Sequence, residues 1–291
     1  AGSAPVLVVD RAGWSAANIG SMRALMDPVA AKLMGAVDGK PSPTLTSMGG
    51  KVTGAETGAL LAFMASKVLG QYDLAPGGDP RLLLVAPNIV QAERDMDVVP
   101  EDFRLWVAAH EEAHRVQFTA VPWLRQHMID ASRDLATDLA PTPAELAERL
   151  QQIVQRLPEA FQPGSTGLVE VFLTPEQKAK VAEITAVMSL LEGHADVVMD
   201  DVGPAIIPTV AAIREKFSRR RAGLGQFDRL LRRMLGLEAK MRQYADGAVF
   251  VRAVTDRVGV DGFNAVWTSP ETLPSAAEMA DPSAWVARVH G

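Results

Sequence analysis

Residues 110–114 read His110-Glu111-Glu112-Ala113-His114. On an α-helix, histidines four residues apart lie on one face, one turn apart, so both imidazoles can reach a single metal ion. Glu111 follows the first of them and faces the same opening, where its carboxylate can take a proton from a water polarised by that ion. The flanks carry Phe103, Leu105, Trp106 and Val107 on one side and Val116 and Phe118 on the other. So apolar a segment is expected to form a buried helix, over about 102–118. Two histidines and two glutamates on a buried helix need partners for their polar groups, and a metal is one.

A catalytic zinc takes three protein ligands and a water. The second half of the chain offers Leu191-Glu192-Gly193-His194-Ala195-Asp196. Glu192 is the first candidate for third ligand, on a separate helix 78 residues beyond His114. Asp196 lies one turn further on the same face and could accept the ring N–H of a metal-bound histidine, holding it in place. Gly193 would let this helix approach the motif helix closely around the metal. His194 is the rival ligand, although two residues from Glu192 it faces roughly the opposite side of the helix. A donor for a developing oxyanion is also needed, and Tyr244 and His194 are the candidates.

The elements that must position these residues are mostly helical. An extended segment at 5–10 and a strand at Leu82–Val85, bounded by prolines, supply a minor β component. Asp27-Pro28 can open a helix, and residues 39–50 read as a loop. Thr53–Leu69 reads as a helix with Gly54 and Gly58 on one face. Thr142-Pro143-Ala144-Glu145 and Thr174-Pro175-Glu176-Gln177 both carry capping-box grammar. The first starts a helix to about Leu157, followed by a loop at 161–167 and a short strand at 168–173. The second starts a long helix to about Asp200, ending before Gly203-Pro204. Further helices are expected near 205–217, 226–236, 238–258 and 275–288. The fold class is therefore mainly α with a minor β component, the H-E-x-x-H helix packing against a second ligand-bearing helix. Residues 1–291 form one unit, or two lobes, about 1–122 and 123–291, with the metal cleft between them.

Composition narrows the function. The 291 residues are 48% hydrophobic and 22% charged, ordinary for a globular chain with a sizeable core. A net charge of −6 argues against broad binding to nucleic acid or to an anionic membrane. The arginine-rich stretch from Arg214 to Arg242 reads as the solvated face of an amphipathic helix, and no nucleic-acid-binding module accompanies it. With no cysteine, disulfides and thiolate metal sites are excluded, so a zinc ion must use His, Asp or Glu. No apolar run approaches the roughly 20 residues of a membrane span, and no signal peptide is visible. A cytoplasmic protein from a GC-rich bacterial gene is expected. His127 and His290 read as surface or locally hydrogen-bonded residues.

The segment His110-Glu111-Glu112-Ala113-His114-Arg115-Val116-Gln117-Phe118, taken with Leu191-Glu192-Gly193-His194-Ala195-Asp196, resembles the zincin-like metallopeptidase type 2 family. The likeness extends to Val9-Asp10-Arg11, Val68-Leu69-Gly70-Gln71-Tyr72, Gln243-Tyr244-Ala245-Asp246-Gly247 and Asn264-Ala265-Val266-Trp267. This bacterial family was long listed as a domain of unknown function, and some members carry a name linking them to deazaflavin-cofactor biosynthesis. Glu192-Gly193 is similar to the glutamate-ligand segment of gluzincins such as the alanyl aminopeptidases, across a longer ligand gap and without their Gly-rich motif. The resemblance implies a zinc-dependent metallopeptidase at the level of the metal site, with Glu111 as general base, and leaves the substrate type open; a peptide or small amide is the expected substrate. The alternative is a non-hydrolytic zinc-binding structural or regulatory protein.

Overall fold

The computed structural model describes residues 4–35, 58, 61–139, 173–222 and 237–291. It is mainly helical with a small three-stranded sheet. The chain divides into two compact units, Ala1–Arg115 and Val116–Gly291.

The first unit is built on the sheet, in the order β1-β3-β2, with β1 at Val6–Val9, β2 at Gly70–Asp73 and β3 at Arg81–Val85. β1 runs parallel to β3, pairing Val6 with Leu82 and Val9 with Val85. β2 runs antiparallel, pairing Gly70 with Leu84 and Asp73 with Arg81. The unbroken apolar run of β3 fits the central position, where both edges are paired and side chains on both faces can be covered. Leu82, Leu83 and Val85 are all buried. Trp14, Leu61 and Ala65 join Leu83 and Val85 in one apolar cluster.

Helix α1 (Arg11–Gly35) is tied to β2 by side chains. Asn18 and Gln71 exchange amide hydrogen bonds of 3.2 and 3.0 Å, and Ser21 donates to Asp73 at 2.9 Å. Asp73 also accepts from Arg81 at 2.9 Å. Asn88, near the start of α2 (Ala86–Met96), donates through one amide nitrogen to the carbonyls of Ala65 (2.7 Å) and Val68 (2.6 Å). This buried Asn88 thereby fixes the backbone that leads into β2. Arg104 of α3 (Pro100–Ala120) pairs with Glu93 of α2 at 2.7 Å, which joins the two helices.

The second unit is helical. It contains α4 (Leu124–Leu139), α5 (Pro175–Ile206), α6 (Val210–Ala222), α7 (Leu237–Phe263), α8 (Ala276–Ala280) and α9 (Pro282–His290). α5 begins at the expected capping box: the Thr174 hydroxyl accepts from the Gln177 N–H, and the Gln177 side chain accepts from the Thr174 N–H. Leu190, Phe250, Val254, Val266 and Trp285 form its core. α5 and α7 cross in contact at Gly193 and Gly247, where a Cβ on Gly193 would sit 2.1 Å from the Gly247 carbonyl carbon. Gly193 thus serves the crossing with α7, where the sequence had suggested the motif helix. α7 kinks at Gly259, whose φ of 74° suits a residue without Cβ.

Several boundaries differ from expectation, among them the helix expected at 205–217, which is Val210–Ala222, and the one expected at 238–258, which runs to Phe263. α1 runs through Asp27-Pro28 without a break. α5 continues to Ile206, past Gly203-Pro204. The helix expected at 53–69 has left helical geometry by residue 66. The helix expected at 275–288 is two helices, divided where Asp281 caps a new start at Pro282. The loops at 39–50 and 161–167, the helices at 142–157 and 226–236, and the strand at 168–173 up to residue 172 lie outside the described residues. Among the described residues no helix is long and apolar enough to cross a membrane.

Candidate metal centre

α3 carries His110 and His114, as the apolar flanks of the motif require. Phe103 is fully buried, with Trp106 and Val107 nearly so, and they anchor the first half of the helix. Along one face the rings step upward in sequence: Phe103 to Trp106 at 6.0 Å, Trp106 to His110 at 6.0 Å, and His110 to His114 at 4.9 Å. The two imidazoles stand nearly perpendicular, at 88°. This i, i+3, i+4 ladder restricts their rotamers by packing. Glu111 is buried, 8% exposed. Glu112 instead faces Arg115, whose Nε donates to it at 2.7 Å.

The last turn of α3 is fastened to α5 by Gln117. Its amide nitrogen donates to the Leu191 carbonyl at 2.9 Å and lies 3.0 Å from Nδ1 of His194. The carbonyl can only accept, which orients the amide with nitrogen toward both groups. Nδ1 of His194 is then the acceptor, and a neutral His194 carries its proton on Nε2. Its ring also stacks on Phe263 at 5.6 Å and meets Trp267 edge-on at 5.4 Å. Gln117 is three residues beyond His114, and Leu191 immediately precedes Glu192.

Among the described residues, His110, His114 and Glu192 form a group able to hold a metal ion, with one ligand atom from each within 4.8 Å of the others. In a tetrahedral zinc site with bonds of 2.0–2.2 Å, donors lie about 3.4 Å apart. Ligand atoms within 4.8 Å of one another approach that spacing. Two imidazole nitrogens and one carboxylate oxygen form a donor set characteristic of catalytic zinc, which uses three protein ligands. The residues present therefore fit a divalent ion.

The remaining candidates fall as follows. Asp196 accepts from Arg214 at 3.2 Å, and Arg214 also pairs with Asp200 at 2.6 Å, an ion cluster where α5 meets α6. His194 is held by Gln117, Phe263 and Trp267 as described. Tyr244 lies on α7, with its side chain outside the described residues. Of the basic stretch, Arg214 and Arg219 make ion pairs, the latter with Glu215 at 2.8 Å. His127 meets Trp123 edge-on, and His290 lies 3.0 Å from the Gly262 carbonyl. Asn88 and Gln117, both buried amides with main-chain partners, are not among the residues expected from the sequence. A Pro-Asn pair just after a strand hints at Asn88, while nothing in the sequence distinguishes Gln117 from a surface residue.

The sequence model of a family described as zincin-like metallopeptidase matches residues 1–286. A crystal structure from Chloroflexus aurantiacus, of a candidate hydrolase with a novel fold, is similar to this chain with a TM-score of 0.67 and 31% identity. The likeness covers 98% of this chain and 80% of that one. No curated protein matches significantly.

Proposed function

From the premise that the chain belongs to the zincin-like metallopeptidase family, we propose that it is a zinc-dependent hydrolase of peptide or small amide bonds. His110, His114 and Glu192 would hold the ion. The observation that carries this is the convergence of their ligand atoms within 4.8 Å. The ion, when bound, supplies Lewis acidity to a water and to the scissile carbonyl. The rest falls to the chain's own groups. The Glu111 carboxylate accepts the proton of the attacking water and returns it to the leaving amine. Its burial supports this role, since a carboxylate screened from bulk solvent acts more strongly on a nearby proton. The ring ladder of α3 holds the imidazoles ready. We give His194 no step, because its ring serves the packing of α5 against Phe263 and Trp267. Asp196 we assign to the ion cluster with Arg214.

Turnover of a peptide library by metal-loaded wild type and Glu111→Gln is the test. The substitution keeps the side chain's size and removes its basicity. The expected outcome is a rate loss of about 10²–10⁴-fold with metal content unchanged. Full activity in metal-loaded Glu111→Gln would refute the mechanism. An inactive wild type that binds metal would favour the structural or regulatory alternative.

A further inference from the structure

Gly70 opens β2, and its α-carbon faces the side chain of Glu111. A Cβ built on Gly70 would lie 2.4 Å from Cγ, 2.6 Å from Cδ and 2.7 Å from Oε1 of Glu111. Glu111 thus packs along its length against the bare face of a glycine. We propose that Gly70 is a positioning residue for Glu111, its missing side chain forming the slot that holds the carboxylate in its working place. This deepens the hydrolytic reading above and rests on it.

The strand cannot easily give way. Gly70 is paired with Leu84 in the β2–β3 ladder. The residue before it accepts from the Val85 N–H at 2.8 Å. The residue before that accepts from Asn88 at 2.6 Å. The backbone entering β2 is therefore fixed to the central strand and to α2. Glu111 is the softer partner, because side-chain torsions move at less cost than a paired strand. A methyl group on Gly70 would meet Cγ about 1 Å inside ordinary contact distance, so the carboxylate must leave its place by about that much. A displacement of 1 Å at a reacting group is worth about 10²-fold in rate.

Four proteins test this: wild type, Gly70→Ala, Glu111→Ala, and the double variant, followed by thermal unfolding without metal. Glu111→Ala removes the three nearest atoms that the new methyl would strike. The expected result is that Gly70→Ala lowers the Tm in the presence of Glu111 and leaves it unchanged in the Glu111→Ala background. In the metal-loaded proteins, Gly70→Ala should lower kcat about 10²-fold at unchanged KM and metal content. Its kcat penalty should shrink in the Glu111→Asp background, where the side chain is one methylene shorter. Equal Tm losses in both backgrounds would place the strain elsewhere and overturn the proposal. So would a normal kcat in Gly70→Ala. An inactive wild type with the Tm coupling intact would fault the hydrolytic reading while leaving the steric contact demonstrated.

Discussion

Gly193→Ala puts a methyl group into the α5–α7 crossing, immediately after the proposed ligand Glu192. The methyl carbon would lie 2.1 Å from the carbonyl carbon of Gly247, 2.4 Å from the Ala248 nitrogen and 2.6 Å from the Gly247 oxygen. All three atoms are backbone, so no side-chain rotation relieves the clash. Reaching ordinary contact at 3.4 Å requires the helices to part by about 1.3 Å. That separation would loosen the core of Leu190, Phe250 and Val254. Overpacking a well-filled interior costs about 1–3 kcal/mol, and a backbone-on-backbone clash belongs at the upper end. A loss of about 3 kcal/mol lowers the Tm by roughly 6–12 °C. The control is Gly20→Ala on α1, where a Cβ meets nothing within 4 Å. There the better helix propensity of alanine should stabilise by about 0.5–1 kcal/mol. Circular dichroism melts and urea titrations of the three proteins supply the comparison. A Gly193→Ala protein within about 0.5 kcal/mol of wild type would show that the two helices do not depend on the absent side chain.

Two further perturbations follow from the described contacts. Thr174→Ala removes half of the capping box of α5 and should cost about 1 kcal/mol, read from the urea midpoint at constant slope. Burial pushes the Glu278 carboxyl up, but hydrogen bonds from Arg288 and Ser275 outweigh it and hold the group below the usual carboxylate range. A carboxyl lowered in the folded state contributes stability above its unfolded pKa, and that stability is lost as pH falls through the lower folded value. Glu278→Gln should therefore lower the Tm at neutral pH and flatten its acid dependence below about pH 4.5. A parallel fall in wild type and variant would contradict this.

Much of the site was legible because its signals are local. Histidine spacing within one helix puts both side chains on one face whatever surrounds them, and the apolar flanks announced a buried helix. Glu192 stood out as a candidate for a similar reason, as an acid embedded in apolar residues of a long helix opened by a capping box, and its carboxylate lies within 4.8 Å of the two imidazoles. The boundaries at prolines were harder. A proline removes one N–H and crowds the preceding residue, which usually ends a helix. Gly203 has no Cβ to be crowded, so α5 continues through Pro204. At Asp27-Pro28 the loss of one bond is small against a helix of 25 residues. The placement of Gly70 against Glu111 was invisible, because it depends on the register of β2 and on how α3 packs beside it. Gly193 was noticed for its small size, but which helix would use that space was a tertiary matter. Asn88 and Gln117 act through main-chain carbonyls distant in sequence, and side-chain chemistry alone does not reveal such partners.

One divalent-metal site is proposed at His110, His114 and Glu192. It is tested most directly by zinc titration of the metal-stripped wild type beside Glu192→Ala, followed calorimetrically. One ion is expected per wild-type chain, with a markedly weaker or absent site in the variant, because removing the carboxylate leaves only two imidazoles. Equal affinity and stoichiometry in both proteins would contradict it.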